Sequence, residues 1–217
     1  MDTIYTLTTW IVPLLLVVIL HEIAHGYIAL KLGDRTALTM GRLTLDPRKH
    51  IDPVGSILIP GVLLLSGSKF LFGWAKPVPI DARNFAHPKR DMGIVAASGP
   101  LTNVALAVVF AAVLKLITLL PANSLVIWLG QNLVNGVQLS LLLAVFNFFP
   151  ILPLDGGRVL LSLLPPKYAY HYAQSEKYGF LILFGVLFIL PMIGINVFGW
   201  FAGILYPLFL SIIGLVM

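Results

Sequence analysis

The chain has 217 residues, of which 59% are hydrophobic and only 11% are charged, and its formal net charge is +5 at pH 7. A soluble domain carries about 25% charged residues, so this composition excludes an ordinary soluble fold and indicates a polytopic membrane protein. The absence of cysteine excludes disulfides and thiolate metal sites, which leaves nitrogen and oxygen atoms as the only metal ligands.

Five apolar segments are each long enough to cross a bilayer as a helix, which takes about 20 residues. In chain order they occupy residues 4–30, 92–120, 124–150, 179–195 and 197–216. Only a short break separates the last two, so we predict that they form a helical hairpin. The sequence has no internal repeat or low-complexity tract. We therefore predict a single membrane-embedded domain over residues 1–217.

A sixth apolar segment, residues 54–66, is too short to cross the membrane alone. As a helix it is about 20 Å long, whereas the hydrocarbon layer of a bilayer is about 30 Å thick. Pro60 and Gly61 interrupt its middle. We predict a re-entrant or short membrane segment at this position.

The lysines and arginines give an orientation, because basic residues concentrate in cytoplasmic loops. With the N-terminus outside and residues 54–66 turning back, thirteen of the fourteen basic residues lie on the cytoplasmic side. The exception is Lys115, near a helix end, where its long side chain can reach the interface. This topology explains the positive net charge, so we predict no nucleic-acid partner.

Residues 36–45 and 76–80, on either side of the short segment, have strand-like patterns. The first alternates polar and apolar side chains up to Gly41-Arg42, and the second, Lys76-Pro77-Val78-Pro79-Ile80, is typical of extended backbone. We predict a small β element at the membrane surface, with an edge to which a substrate adds as a strand. An ordinary amphipathic loop remains the alternative. The predicted fold class is an all-α polytopic membrane protein with this β element added.

The first apolar segment contains His21-Glu22-Ile23-Ala24-His25, an HExxH pattern. Histidines at i and i+4 project from one helix face, a spacing that suits two corners of a tetrahedral zinc site. Glu22 is then within reach of a water in the open metal position and can act as a general base. Ionisable side chains inside an apolar helix are costly, which favours metal binding over a surface role.

A catalytic zinc site requires a third protein ligand. His50, His87 and His171 lie in polar sequence, where we expect solvated side chains. Asp155 instead follows an apolar helix that Pro150 and Pro153 interrupt, and Gly156-Gly157 permit a tight turn beside it. We predict that Asp155 is the third ligand. An aspartate in a simple helix-end turn is the alternative.

Three motifs together resemble the site-2 protease family of intramembrane zinc metalloproteases. They are the HExxH pattern at residues 21–25, a GxxxN element from Gly99 to Asn103, and an NxxPxxxxDG element from Asn147 to Gly156. They occur in the family order and span most of the chain. We expect a compact member without the PDZ or CBS domains that some relatives carry.

The resemblance implies one Zn²⁺ per chain, held by His21, His25 and Asp155, with Glu22 as the catalytic base. Asn103 and Asn147 are buried amides that either stabilise the oxyanion or bond to a neighbouring helix, and of the two we favour Asn147 as a catalytic residue. The implied reaction is hydrolysis of a peptide bond within or next to a transmembrane segment of a membrane protein. The alternatives are a membrane cation transporter and a catalytically silent zinc-binding scaffold.

Overall fold

The computed structural model describes residues 2–66 and 73–214, and all the regular secondary structure in these ranges is helical. The α-helices are α1 (Asp2–Lys31), α2 (Thr36–Thr39), α3 (Ile59–Leu65), α4 (Pro88–Ile117), α5 (Ser124–Phe148), α6 (Asp155–Leu163), α7 (Pro166–Gln174), α8 (Gly179–Phe184), α9 (Leu190–Met192) and α10 (Val197–Gly214). Turns of 3₁₀-helix lie at Pro47–Lys49, Ala82–Asn84 and Ser175–Tyr178, and π-helical turns lie at Pro53–Leu58 and Gly185–Ile189.

Five helical stretches are long and apolar enough to cross a membrane, which confirms the predicted number of spans. They are Ile4–Lys31, Pro88–Ile117, Ser124–Phe148, Pro166–Met192 and Val197–Gly214. The fourth begins at Pro166, well before the predicted start at residue 179. At about 40 Å it is longer than the hydrocarbon layer, so we expect its polar first part to lie outside that layer.

The predicted β element is wrong. Thr36–Thr39 forms a turn of helix, and no strand is found at residues 2–66 or 73–214. The tetrapeptide TALT has no Gly or Pro to prevent helix formation, and its start is held by Asp34, whose carboxylate accepts the N–H of Thr36 at 3.0 Å. Residues 53–65 are helical, as expected for a short membrane segment. Whether they turn back within the membrane stays a prediction.

Helix α4 occupies the centre of the bundle and packs against α1, α5 and α6. Its contact with α5 and α10 is built around fully buried small side chains, Ala107, Ala111 and Ala144. Gly136 of α5 faces the ring of Phe110 so closely that a β-carbon there would lie 2.8 Å from the ring. Small residues let membrane helices approach closely, which is the main source of their packing energy in lipid.

Polar side chains link α1 to α5 near the opposite end from the HExxH pattern. The side-chain amide of Asn135 donates to the carbonyl of Thr9 at 2.8 Å, and the indole of Trp128 donates to the hydroxyl of Thr8 at 3.1 Å. Such interhelical bonds contribute about 0.6 kcal/mol each in membrane proteins. They fix α1 in register against the bundle and so help to set the depth of the histidine pair.

The natural absence of cysteine makes the topology directly testable with single introduced cysteines. Lys49, Ser66 and Ala122 are exposed. If residues 54–66 turn back, K49C and S66C react with a membrane-impermeant maleimide from the same side and A122C from the other. Labelling of sealed cells and inverted vesicles measures this. Reaction of K49C and S66C from opposite sides, with A122C on the side of K49C, would contradict the re-entrant topology.

Candidate metal centre

The two histidines of α1 lie one helical turn apart and turn away from the lipid-facing surface. His21 and His25 are each only 7% exposed. Their Nε2 atoms are 3.0 Å apart, and their rings meet edge to face at a centroid distance of 4.6 Å. The i, i+4 spacing predicted from the sequence therefore brings both ring nitrogens to one point.

Gly99 of α4 makes room for the histidine rings. A β-carbon at this position would lie 2.5 Å from Cε1 of His21 and 2.5 Å from Nε2 of His25. Because a hydrogen replaces the side chain, α4 can lie directly against both imidazoles. The surface on which Gly99 packs is therefore the histidine pair itself.

The segment between α5 and α6 delivers Asp155 to the same point. Helix α5 ends at Phe148, and Asp155 is the first residue of α6. A β-carbon on Gly156 would lie 2.1 Å from the carbonyl oxygen of Phe148, so this glycine is required by close backbone packing. Asp155 thus belongs to a short second helix folded back on the end of α5, not to the end of α5 itself.

The three side chains converge with the spacing of metal ligands. Oδ2 of Asp155 lies 3.2 Å from Nε2 of His21 and 3.3 Å from Nε2 of His25. Zinc bonds of 2.0–2.2 Å in a tetrahedron place neighbouring ligand atoms about 3.3–3.5 Å apart. The observed distances come within a few tenths of an ångström of this. Oδ2 has no hydrogen-bond partner although it is buried, which fits an atom reserved for a cation.

The far side of His25 is held by a backbone carbonyl. Its Nδ1 lies 2.8 Å from the carbonyl oxygen of Val95 on α4. A carbonyl only accepts hydrogen bonds, so Nδ1 carries the proton and Nε2 keeps a lone pair for a metal. His21 has a different partner, since its Nδ1 lies 3.1 Å from the side-chain amide nitrogen of Asn103.

Glu22 accepts a hydrogen bond from the backbone of a distant segment. One carboxylate oxygen accepts the N–H of Val78 at 2.7 Å. Val78 lies between Pro77 and Pro79, which have no N–H, so it supplies the only backbone donor of this tripeptide. Residues that precede proline favour extended backbone, and residues 73–81, here called the strap, run past the metal ligands without regular secondary structure.

Three buried polar residues on the N-terminal half of the chain anchor the strap. The guanidinium of Arg42 donates to the carbonyls of Lys76 and Pro77 at 2.8 and 3.2 Å. The carbonyl of His50 accepts the N–H of Lys76 at 2.9 Å. The carboxylate of Asp34 accepts the backbone N–H of Asp81, the last residue of the strap, at 2.8 Å.

Asp34 is completely buried and also accepts from the hydroxyl and N–H of Thr36 and from the side chain of Asn84. Burial alone raises the pKa of a carboxyl group, but these hydrogen bonds favour the charged form more strongly and hold the pKa of Asp34 below its ordinary value of 3.8. Asp34 is therefore a charged hub that joins the end of α1 to the strap.

A cavity of about 450 Å³ opens beside the metal ligands. It is lined by His21, Glu22, His25, Pro77, Val78, Ile80, Met92, Val95, Ala96, Asn147, Pro153, Leu154, Asp155 and Arg158. The cavity thus brings together the HExxH pattern, the strap and the segment around Asp155, which are widely separated in sequence.

The other candidate residues from the sequence are Asn147 and three histidines, which differ in burial and in hydrogen-bond partners. Asn147 lines the cavity, although its side-chain amide donates to the carbonyl of Leu143 on its own helix at 3.0 Å. His87 and His171 are exposed, as predicted. The prediction that His50 is solvated is wrong, because it is 3% exposed and its Nε2 lies 2.8 Å from the carbonyl of Thr44. Its side chain therefore bonds within its own loop, and its backbone carbonyl is the group that contacts the strap.

Curated proteins with similar sequences share one description. YwhC of Bacillus subtilis, a zinc metalloprotease by name, is 40% identical over 185 residues, which cover 84% of this chain and 80% of that protein. Rip2 of Mycobacterium tuberculosis, also a zinc metalloprotease by name, is 32% identical over 200 residues, which cover 92% and 71%. The chain belongs to the site-2 protease family of intramembrane zinc metalloproteases. MJ0611 of Methanocaldococcus jannaschii, likewise a zinc metalloprotease by name, is 34% identical over 142 residues, which cover 65% of this chain and 63% of that protein.

No protein-family model matches the chain. No solved structure matches it either. Membership of the site-2 protease family therefore rests on the curated relatives, and the arrangement of the site described above rests on the geometry of this chain.

We predict that G99A weakens metal binding more than it weakens the fold. The added methyl group would meet ring atoms of both histidines at 2.5 Å, so the rings must move apart. Metal affinity, measured with zinc against a chelator, should fall at least about tenfold, as for other disturbances of ligand orientation. G203A is the matched control, because a β-carbon there meets nothing within 4 Å. Equal zinc affinity in the two variants would contradict this reading.

We predict that D34N loosens the strap at neutral pH. An amide cannot accept all the bonds that the carboxylate accepts, and a buried donor left unpaired costs about 1–3 kcal/mol. Hydrogen exchange at Val78 and Asp81 should become faster. Since the pKa of Asp34 is lowered in the fold, its stabilising effect is complete above pH 3.8 and is lost as the pH falls through the folded pKa.

The difference in thermal stability between the wild type and D34N should therefore be largest near neutral pH and should shrink in strong acid. A difference that grew as the pH fell, or exchange rates at the strap that did not change, would contradict the role of Asp34. The exposed pair Asp46–Arg48 offers a control, D46N, that leaves the strap untouched.

Proposed function

We propose that this chain is an intramembrane metalloendopeptidase that hydrolyses a peptide bond within or next to a transmembrane segment of a membrane-protein substrate. The single observation that supports this most is the convergence of His21, His25 and Asp155 beside the carboxylate of Glu22 in one buried cavity. The names of the relatives favour the same reaction. The regulated release of a membrane-anchored protein is the use that the family resemblance implies.

His21, His25 and Asp155 would hold the metal, with one Zn²⁺ per chain. When bound, zinc supplies Lewis-acid polarisation of the substrate carbonyl and lowers the pKa of a water molecule. A ligand set of two imidazoles and one carboxylate suits this ion and leaves one tetrahedral position open.

Glu22 would act as the general base and then as the general acid. Its carboxylate takes the proton of the attacking water and returns it to the amide nitrogen of the leaving peptide. The hydrogen bond from the N–H of Val78 to one oxygen orients the carboxylate and leaves its other oxygen for this proton transfer. In the proposed mechanism the strap therefore positions the general base.

Asn147 would assist at the substrate carbonyl. Its amide nitrogen uses one hydrogen in the bond to Leu143, and the second remains for an oxyanion in the cavity it lines. Removing one such donor costs about 2.7–4 kcal/mol of transition-state stabilisation in other hydrolases. This role for Asn147 is part of the proposal and depends on the substrate filling the cavity.

We also propose that the site faces the cytoplasmic side of a cell membrane. The support is the distribution of basic residues, of which thirteen of fourteen fall on one side in the predicted topology. Water and zinc would then enter from the cytoplasm past Asp155 and Arg158. The guanidinium of Arg158 pairs with Glu176 at 2.9 Å, so it marks the rim of the cavity without neutralising Asp155.

The decisive experiment compares the purified wild type with E22Q. We expect about one zinc per chain in both proteins by atomic absorption, and cleavage of a panel of membrane-spanning peptides by the wild type alone. Loss of general-base catalysis should lower the rate at least about 100-fold. E176Q is the matched control, because this half-exposed carboxylate pairs with Arg158 and lies outside the ligand set.

The other outcomes favour the other functions. Zinc binding without cleavage of any peptide in the panel would favour a silent scaffold. Cation flux through liposomes containing the protein would favour a transporter. Absence of zinc from the wild type would contradict the proposed metal site.

A further inference from the structure

We propose that Asn103 is a positioning residue that selects the tautomer of His21. In the metal-loaded protein its side-chain carbonyl accepts a hydrogen bond from Nδ1–H of His21, which leaves the lone pair of Nε2 for the metal. This inference rests on the proposed metal site. The role it gives to Asn103 differs from both alternatives predicted from the sequence, which were to stabilise the oxyanion or to bond to a neighbouring helix.

Asn103 lies beside only one of the three proposed metal ligands, His21. It is completely buried on α4, one turn after Gly99, and its amide nitrogen is 3.1 Å from Nδ1 of His21. It does not line the cavity beside Glu22. Its position behind the imidazole, on the side away from Asp155 and the open metal position, suits control of the ring and not contact with substrate.

The protons on His21 decide which end of the amide must face it. Nε2 of His21 is 3.2 Å from Oδ2 of Asp155 and 3.0 Å from Nε2 of His25, so it is the nitrogen directed at the metal. A neutral imidazole that binds a cation through Nε2 carries its one proton on Nδ1. That proton requires an acceptor, and the amide nitrogen of Asn103 cannot accept.

The hydrogen bonds of the Asn103 side chain give a second reason to expect that its amide group is turned in the metal-loaded protein. The carbonyl oxygen of Asn103 is buried without a hydrogen-bond partner, while its nitrogen faces the imidazole. The two ends of a carboxamide are nearly equal in shape, so a half-turn about the last side-chain bond exchanges them in place. In that orientation the carbonyl oxygen accepts a hydrogen bond from Nδ1–H of His21 and is no longer without a partner.

His25 illustrates the same requirement in a fixed form. Its Nδ1 faces the carbonyl of Val95, which only accepts. The backbone sets the tautomer of His25, and the side chain of Asn103 sets that of His21. Metal-bound histidines generally have such an acceptor behind the ring, and its loss weakens metal binding about 10–100-fold.

The test uses two substitutions that separate accepting from donating. N103L removes both groups at similar size, and N103D keeps only acceptor oxygens. The proposal predicts zinc affinity about 10–100-fold weaker in N103L and close to that of the wild type in N103D, measured by competition with a chelator in detergent. The cobalt absorption spectrum, which reports ligand geometry, should change in N103L and be restored in N103D.

The control is N132L, which removes another buried amide of the membrane helices. Asn132 is 8% exposed and bonds to the carbonyl of Trp128 on its own helix, away from the metal ligands. We expect unchanged zinc affinity in this variant. Thermal unfolding of each protein shows whether it is folded. If N103D does not fold, a zinc affinity of N103L equal to that of N132L still overturns the proposal.

Unchanged zinc affinity in N103L would overturn the proposal. So would equal losses in folded N103L and N103D, because Asn103 would then act as a donor or as packing. A lower kcat in N103L at unchanged zinc affinity would overturn it in favour of an oxyanion donor. Failure of the wild type to bind zinc would instead refute the proposed function, so the two failures are distinguishable.

Discussion

Two imidazoles and a carboxylate meet within about 3.3 Å of one another inside a bundle of apolar helices. Ionisable groups lose their hydration in such a place, and they are retained only where a partner compensates them. A cation shared by the three side chains is the compensation that fits their spacing. The rest of the structure can be understood as a set of contacts that hold these three side chains at one point.

The helices around the three side chains supply these contacts, which depend on small residues or on backbone groups. Gly99 lets α4 lie against both histidine rings. The carbonyl of Val95 holds His25 from behind. Gly156 lets α6 fold back against the end of α5, which carries Asp155 to the pair. Groups without rotatable side chains are well suited to this task, because ligand positions must be held to a fraction of an ångström for tight metal binding.

The strap holds the carboxylate of Glu22, the proposed general base, beside this rigid centre. Pro77 and Pro79 leave a single N–H between them, and it is directed at Glu22. The side chains of Arg42 and Asp34 and the backbone carbonyl of His50 hold the strap at Lys76, Pro77 and Asp81, and all three residues are buried. A buried charge with several hydrogen bonds is expensive to displace. The strap is therefore part of the framework of the cavity, and its geometry determines where the free oxygen of Glu22 points.

The sequence predicted the spans and the three side chains that converge in the structure, because both depend on strong and local signals. Long apolar runs define membrane helices, and the HExxH spacing defines a helix face. Asp155 was found through the prolines and glycines around it. The strap, by contrast, depends on the side chains of Arg42 and Asp34, whose backbone partners lie 34 to 47 residues away in sequence. Side chains that bond to backbone leave no compositional pattern, so nothing in the sequence marks these two residues as anchors.

The same limit explains the error in the β element. Alternation over residues 36–45 is too short to exclude a helical turn, and the carboxylate of Asp34 caps that turn by accepting the N–H of Thr36. The second piece has no regular secondary structure, and its prolines remove donors that a strand needs for pairing. The strap instead bonds to side chains and to single backbone carbonyls of other segments.

The size of the cavity bears on how a membrane-spanning substrate would reach this site. A helix about 10 Å across occupies about 420 Å³ per turn, and a span of the bilayer takes about six turns. The cavity of about 450 Å³ therefore holds about one turn. A helical peptide also has its scissile carbonyl occupied by an internal hydrogen bond, which lipid cannot replace. A cavity of this size, which holds the carboxylates of Glu22 and Asp155 and the amide of Asn147, favours a short unwound segment over an intact helix.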